Sequence, residues 1–569
     1  MPARRRPPAN LGHAAHAPAH AGCSADQLGW RRWTCALWIG LLLGLAAPLA
    51  GRAESGPAVG ARPSVDPPTA AQGSAGPAGE PTLPYEAAVA ARFPAPPVVY
   101  ETPGLGPGRT SFTHNDELVA MLRAIAVRSD AVALEPGRSV TGEPLVALHF
   151  SRGPGRPAAL LIGQQHGNEP AGAEALLVVA ERLANPADPL AAVLDRIDVI
   201  VLPRANPDGA ALDRRRNAAG LDVNRDHLRL ATPEARAIGA LMQAFRPVLV
   251  ADLHEYQALG GYVARVGAFK RHDLLLQFPG TANLPPALAA ASEAWFRRPL
   301  ADALLEQGIT SDWYHVVPAA GSGAVLFSMG GLSAALARNA GGLRHAVTLL
   351  LESRGYDLGR AHLQRRVHTH VLAVDHLLRA AATRADALRR LRDDADLAVA
   401  ARACSGEIVI EAAMVPGRRW VTMLDPLTGA DTAVDVAWAS ALDPLPRRVR
   451  SRPCAYWLAA DQTNAVARLR ALGVTVQTLE LPAAAAGERY RVTAQGQVAD
   501  PEGEGVLRRV AVVLEPLALA MPAGSHVVPL AQPLAHLAVA ALEPDTLDSY
   551  HATGLVTRVD AVARIIEPR

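Results

Sequence analysis

Apolar residues recur at two different spacings along the first two thirds of the chain, and the alternation between them predicts an architecture. In THNDELVAMLRAIAVRS the apolar positions from Leu118 to Ile125 fall at helical spacing, with Thr113 or Asn115 placed to cap the start. GRSVTGEPLVALHFS then turns at Gly142 into an alternating strand, Leu145 to Phe150. The apolar run Ala158 to Ile162 predicts a buried strand, AGAEALLVVAERLA a helix behind it, and Ile197 to Pro203 a second buried strand. Thr232 caps a predicted helix, ATPEARAIGALMQAF, that leads into the strand VLVADLH, and HAVTLLLESRG reads as another strand. Strands alternating with helices predict an α/β domain whose mixed, mostly parallel sheet is covered by helices on both faces. Loops at one edge of such a sheet converge, so motifs distant in sequence can share a site.

The pattern changes on either side of this segment, which spans about 108 to 380. Beyond Ala380 a helix-like stretch, RADALRRLRDDADLAVAARA, is followed by short β-like runs such as GEIVIEAAMV, RRWVTMLD and RRVAVVLE, and AYWLAADQTNAVARLRALGVTVQTLEL reads as strand, helix, strand. Residues 381 to 569 are therefore expected to form a smaller accessory α+β domain, without a metal or nucleophile cluster, that packs on the first domain or limits access to it. From Glu54 to Pro107, Pro, Ala, Gly and Ser dominate, which predicts a disordered linker. Residues 1 to 53 carry Arg31 and Arg32, an apolar run from Cys35 to Gly51 and small residues up to Ala53. That run is short for a membrane span and predicts a signal peptide cleaved near Ala53, with an uncleaved anchor as the alternative. The expected location is outside the cytoplasm, periplasmic or extracellular, with no stable span in the mature chain; the export route stays open.

Composition adds little beyond this. Half of the 569 residues are hydrophobic, enough for two cores, and 56 basic against 54 acidic residues leave +2, so there is no electrostatic reason to expect nucleic acid. Lys270 is the one lysine. After signal removal only Cys404 and Cys454 remain, as a disulfide in an oxidising compartment or as two buried thiols.

The candidate chemistry begins at LIGQQHGNEP, which places His166 and Glu169 in an H-x-x-E pair directly after a buried strand. Imidazole and carboxylate suit Zn²⁺, which in catalytic sites takes three protein ligands and keeps one position open. Such a pair also occurs on ordinary surfaces, so a third ligand is needed. His254, at the end of VLVADLH and flanked by Asp252, Glu255 and Tyr256, is the candidate. Between them lie NPDG, Asn206 to Gly209, and RRRNAAGLDVNRD, Arg214 to Asp226; Glu352 ends the late strand, as a candidate for proton transfer or, alternatively, as an ordinary strand-end glutamate paired with Arg354.

This ordered set resembles the carboxypeptidase A-type zinc metallocarboxypeptidases over roughly Thr110 to Ala380. The resemblance implies an exported enzyme that hydrolyses the C-terminal peptide bond of a peptide, with one Zn²⁺ per chain on His166, Glu169 and His254. It further implies Glu352 as general base and acid for a zinc-activated water, Arg215 as the oxyanion-stabilising arginine, and Asn224 with Arg225 as the clamp on the substrate's terminal carboxylate. The register among Arg214, Arg215 and Arg216 is open; R-x-N before Asn217 selects Arg215. Asp222 fits a carboxylate behind His166. Asp226 stands where the family more often has Asn, and the tyrosine that many members set over the substrate has only Tyr314 as a nearby candidate. Arg338 and Asn339 fit either substrate contact or a helix surface. Two other readings compete: a zinc deacylase of N-acyl amino acids, and a non-catalytic peptide-binding relative, which would be expected to have lost Glu352. Oligomeric state and the preferred C-terminal side chain are not legible.

Overall fold

A computed structural model describes residues 85–317, 325–500 and 505–567. The expected signal peptide lies outside the described residues, as does the first part of the expected linker. The chain enters its main sheet through β1 (Val132–Arg138) and β2 (Pro144–Phe150), an antiparallel pair, and continues with β3 (Ala158–Gly163), β4 (Asp198–Leu202) and β5 (Leu249–Tyr256). After the short β6 (Phe269–Lys270) come β7 (Leu274–Gln277), β8 (Ser311–Trp313), β9 (Leu326–Ser328) and β10 (Val347–Arg354). The sheet order is β1-β2-β4-β3-β5-β10-β7-β8. Its central strands β4, β3, β5 and β10 run parallel, while β2 meets β4 and β7 meets β10 antiparallel.

Both faces are covered, as the near-continuous apolar strands require. Successive residues alternate between faces: Leu161, Val201 and Ala251 join a core with the helices Asn115–Arg128, Pro170–Ala184 and Leu363–Thr383, whereas Leu160, Ile162, Ile200 and Leu202 pack on the helix Pro233–Phe245. Thr232 caps that last helix through its hydroxyl, 3.1 Å from Ala235 N. At Asn115–Arg128, however, the cap is His114, not Thr113 or Asn115. Its backbone N–H donates to Glu117 (2.7 Å), while Thr113 is drawn away to the buried Glu174 (2.8 Å). A tertiary carboxylate outcompetes the local cap.

The C-terminal part is β-rich. β11 (Glu407–Leu424) and β12 (Asp431–Ser451) form a long hairpin that inserts between β6 and β9, making a second sheet with strands from the first part. A third sheet combines β13 (Ala455–Leu458), β14 (Gln477–Thr478), β15 (Ala483–Ala499), β16 (Val506–Met521), β17 (His526–Pro529) and β18 (Val562–Ile565). Its core includes Leu228, Leu230 and Leu343 from the first part beside Tyr456, Val528 and Val539. All described residues accordingly fall within one compact unit. Cys404 and Cys454 are joined as a disulfide. In the chain-entropy view, closing that loop restricts the unfolded state by on the order of 4 kcal/mol.

Part of the expected linker is packed. Val89 and Phe93 are buried, Arg92 pairs with Asp431 (2.6 Å), and Tyr100 N donates to Gln364 (3.0 Å). A few apolar anchors and side-chain contacts are enough to hold residues 85–107, although their composition reads as a spacer. Among the described residues, no helix is long and apolar enough to cross a membrane.

Candidate active site

Three segments meet above the carboxyl ends of β3, β5 and β10. Glu169 is the N-cap residue of the helix Pro170–Ala184, and the turn before it, closed by Glu169 N to His166 O (3.2 Å), points both side chains inward. That turn needs a glycine. A Cβ on Gly167 would collide with the backbone of Gly209 and Ala210, so the NPDG segment packs directly on the H-x-x-E turn. Asn206 ties this arrangement together. Its Oδ1 accepts from Gly209 N (2.9 Å), and its Nδ2 donates to Gln165 O (3.1 Å) and Arg215 O (3.3 Å). The NPDG motif, to which sequence reading assigned no role, is thus the brace between the first two ligand candidates and the arginine loop.

His254 comes from β5, and register does the rest: Glu352 on β10 lies directly beside it in a parallel pair. The inward-facing atoms converge closely. His166 Nδ1 is 2.8 Å from Glu169 Oε1, His254 Nδ1 is 2.8 Å from Glu169 Oε2, and the two Nδ1 atoms are 3.0 Å apart. The opposite ring nitrogens face carboxylates: His166 Nε2 lies 3.2 Å from Asp222, as expected, and His254 Nε2 lies 3.0 Å from Asp252. Carboxylates on both Nε2 atoms favour a proton there and leave each Nδ1 lone pair directed at the shared centre. Two lone pairs and a carboxylate aimed at one another form the donor set of a divalent cation. His166, Glu169 and His254 are the described group able to hold a metal ion.

The electrostatics agree. Against a large burial penalty, His166 and His254 hold the Glu169 carboxyl well below the usual range. His254 is likewise drawn upward, against burial, by Asp252 and Glu169. A cation in this centre would take over the role of that proton, so metal uptake should release protons and weaken in acid. Burial also pushes the Glu352 carboxyl up to about 7, with Glu169 adding to the rise and the two histidines opposing it.

A cavity of about 650 Å³ contains the remaining candidates. Arg215 lines it, and Arg214 and Arg216 do not. Its guanidinium holds Asp222 through Nε (3.0 Å) and Nη2 (2.9 Å) and lies 3.1 Å from His166 Nδ1 through Nη1. Arg225 lines the cavity and donates to Asn224 O (2.9 Å). Asn224 Nδ2 lies 3.1 Å from His254 Nε2, and its Oδ1 accepts from Ala337 N (2.9 Å). Tyr314 reaches the wall, but so do Tyr256, Tyr262 and Tyr356. Of the uncertain pair, Arg338 lines the cavity. Asn339 is buried and braces loops through Gly280 N (3.0 Å) and Ser333 O (2.8 Å), so neither is a helix-surface residue. Asp226 explains its departure from the family pattern by accepting from Thr232 N (2.6 Å) and Oγ1 (2.8 Å), which starts the next helix.

Asp252, Met414 and Lys270 escaped sequence reading as parts of the site. Asp252 was seen only as a neighbour of His254, although residues two apart on a strand share a face. Met414, from β11, lines the cavity, so the C-terminal hairpin is part of the site.

Fold, donor set and cavity together define a metallohydrolase. Residues 118–265 match the sequence model of the zinc carboxypeptidases. Carboxypeptidase 2 of Trichophyton rubrum is 29% identical over 408 residues, an alignment covering 70% of this chain and 73% of that protein. Carboxypeptidase E of Caenorhabditis elegans is 40% identical over 113 residues, 16% of this chain and 24% of that one. The crystal structure of a metallo-carboxypeptidase from Burkholderia cenocepacia superposes with a TM-score of 0.37 at 19% identity, covering 47% of this chain and 69% of that chain. By these similarities the chain resembles the zinc carboxypeptidases, most directly over residues 118–265, and they support a peptidase hydrolase.

Proposed function

We propose that the chain is an exported carboxypeptidase that binds one Zn²⁺ on His166, Glu169 and His254 and removes the C-terminal residue of a peptide. The observation that carries this reading is that one cavity is lined by His166 and Glu169, on which His254 converges, together with Arg215, Arg225, Arg338 and the buried Glu352. Bound there, zinc would act as a Lewis acid toward the scissile carbonyl and the attacking water. The chain's own residues supply everything else. Asn224 and Arg225 receive the terminal carboxylate and set which bond reaches the centre. Arg215, always charged and held by Asp222, would donate to the carbonyl oxygen as negative charge builds on it. Glu352 takes a proton from the attacking water and returns it to the departing amine.

The substrate end is tested with matched peptides, C-terminally free and amidated, alongside N-acyl amino acids. Only free-carboxylate peptides should be turned over. An arginine–carboxylate pair in a partly dry site contributes a few kcal/mol, so Arg225→Met should lower kcat/KM on them on the order of a hundredfold. Equal cleavage of amidated and free peptides by the parent would sink the exopeptidase assignment.

The export half of the proposal is supported by the apolar run Cys35 to Gly51 and by the disulfide, which forms and persists most readily in oxidising compartments. N-terminal sequencing of the protein recovered outside the cytoplasm should find a start near Glu54. Recovery of only the intact leader, in the cytosolic fraction, would refute it.

A further inference from the structure

Lys270, the one lysine of the chain, stands on the wall of the catalytic cavity with 3% of its surface exposed. It is carried by β6, which is held in place by the docked hairpin: Lys270 pairs with Met423 of β11. Its Nζ donates to the backbone oxygen of His315 (2.9 Å) and lies over two rings, 4.5 Å from the centroid of Tyr256 and 4.2 Å from that of Tyr262. An ammonium has three donors, and here one carbonyl and two aromatic faces stand in for a full hydration shell. Among the described residues no carboxylate pairs with it; Glu352 and Asp357 act on it only from farther away. Burial pushes the ammonium down to about 7, with Glu352 and Asp357 opposing the shift.

A buried cation without a counter-ion is costly, and a neutral residue of similar length would fill the same space at less cost. The cation faces the cavity in which the substrate's last residue must lie. With the terminal carboxylate assigned to Asn224 and Arg225, the walls left for the side chain of that residue include Tyr256, Tyr262, Val316, Leu350 and Lys270, while Arg338, a further cation on the cavity, is tied to Gly331 O (2.6 Å). Leu350 is two residues before Glu352 on β10 and so shares its face, which places this wall beside the reacting bond. The walls suit methylene groups, and the charge suits an anion at their end.

We propose that Lys270 is a specificity determinant that receives a side-chain carboxylate, so that the enzyme prefers peptides ending in glutamate or aspartate. The inference rests on the exopeptidase reading above and adds the substrate class to it.

The test is a set of blocked tripeptides that differ only in the last residue, Glu, Gln, Leu or Arg, assayed on the full-length, zinc-loaded enzyme. Glutamate and glutamine are nearly the same shape, so their kcat/KM ratio isolates the charge. A ratio on the order of a hundred is expected for the parent, since a buried cation is paired by one side chain and left unpaired by the other. Lys270→Met should bring the ratio to about one or below, and Lys270→Glu should shift the preference to the arginine-ended peptide. Comparable use of the Glu and Gln peptides by the parent overturns the proposal and leaves the exopeptidase reading standing. No turnover of any free-carboxylate peptide overturns both. A Lys270→Met enzyme that loses activity on all four peptides in equal proportion makes the lysine a structural support and also overturns the proposal. The parent ratio needs no variant, so it decides the matter even if the substitutions disturb folding.

Discussion

Purified His254→Ala should contain far less than one zinc per chain and should have lost its peptidase activity. His254 supplies one of only three converging donors, with its Nδ1 2.8 Å from Glu169 and 3.0 Å from His166 Nδ1. Altering groups that merely support a ligand typically lowers metal affinity roughly 10–100-fold, and removing a ligand itself should exceed that range. The remaining pair comes from one turn and can offer a cation only adjacent positions. The fold should survive, because β5 is held by parallel ladders on both sides and Asp252 keeps a hydrogen bond from Gln165 (2.7 Å). Stability should fall, since Asp252 is fully buried and loses its facing imidazole. Elemental analysis after extensive dialysis, with circular dichroism as the check on folding, decides the outcome. Zinc content equal to the parent's in a folded variant would remove His254 from the ligand set.

Sequence periodicity made the first part of the fold legible because its strands are buried on both faces and bounded by helices. Each apolar run from Ala158 to Ile162, from Ile197 onward and before His254 became a strand of the central parallel set. The candidate site residues come together for a related reason. Each sits at the end of such a run or in the braced loop between two of them, so the fold needed only to bring strand ends together. What escaped depends on pairings that no local pattern states. β11 contains Pro416 and Gly417, which break the apparent strand into short runs, yet it continues through them to Leu424. That is tolerable because its second side is paired only at Met423 and Leu424. The docking of this hairpin on β6 and β9 brings Met414 to the cavity and fixes Lys270 there, a consequence of contacts more than a hundred residues apart in the chain. Residues 85–107 were misread in the same way, since composition records what a segment lacks and not the pocket into which Phe93 fits.

Glu352→Gln is the sharpest separation of catalysis from binding. The amide keeps the shape of the carboxyl but can neither take the proton of the attacking water nor return one to the amine. Turnover should therefore fall by at least the factor of about a hundred to ten thousand usually supplied by general acid–base catalysis. The loss should appear in kcat more than in KM, as when an interaction made only in the transition state is removed. Zinc content should be unchanged, because Glu352 is not among the three converging donors. The parent should also show an acid limb. Burial pushes the Glu352 carboxyl up to about 7, and a divalent cation beside it would draw that value down, so activity should decline as pH falls through a value at or below about 7. The direction follows from the role: a base works only when deprotonated, and a raised value moves its protonation toward neutral pH. In Glu352→Gln the residual activity should lose this limb. A variant that holds zinc, turns over peptide near the parent rate and keeps the same acid limb would show that another group is the base. Tyr314 and Tyr356, on the same wall, would be the next to replace.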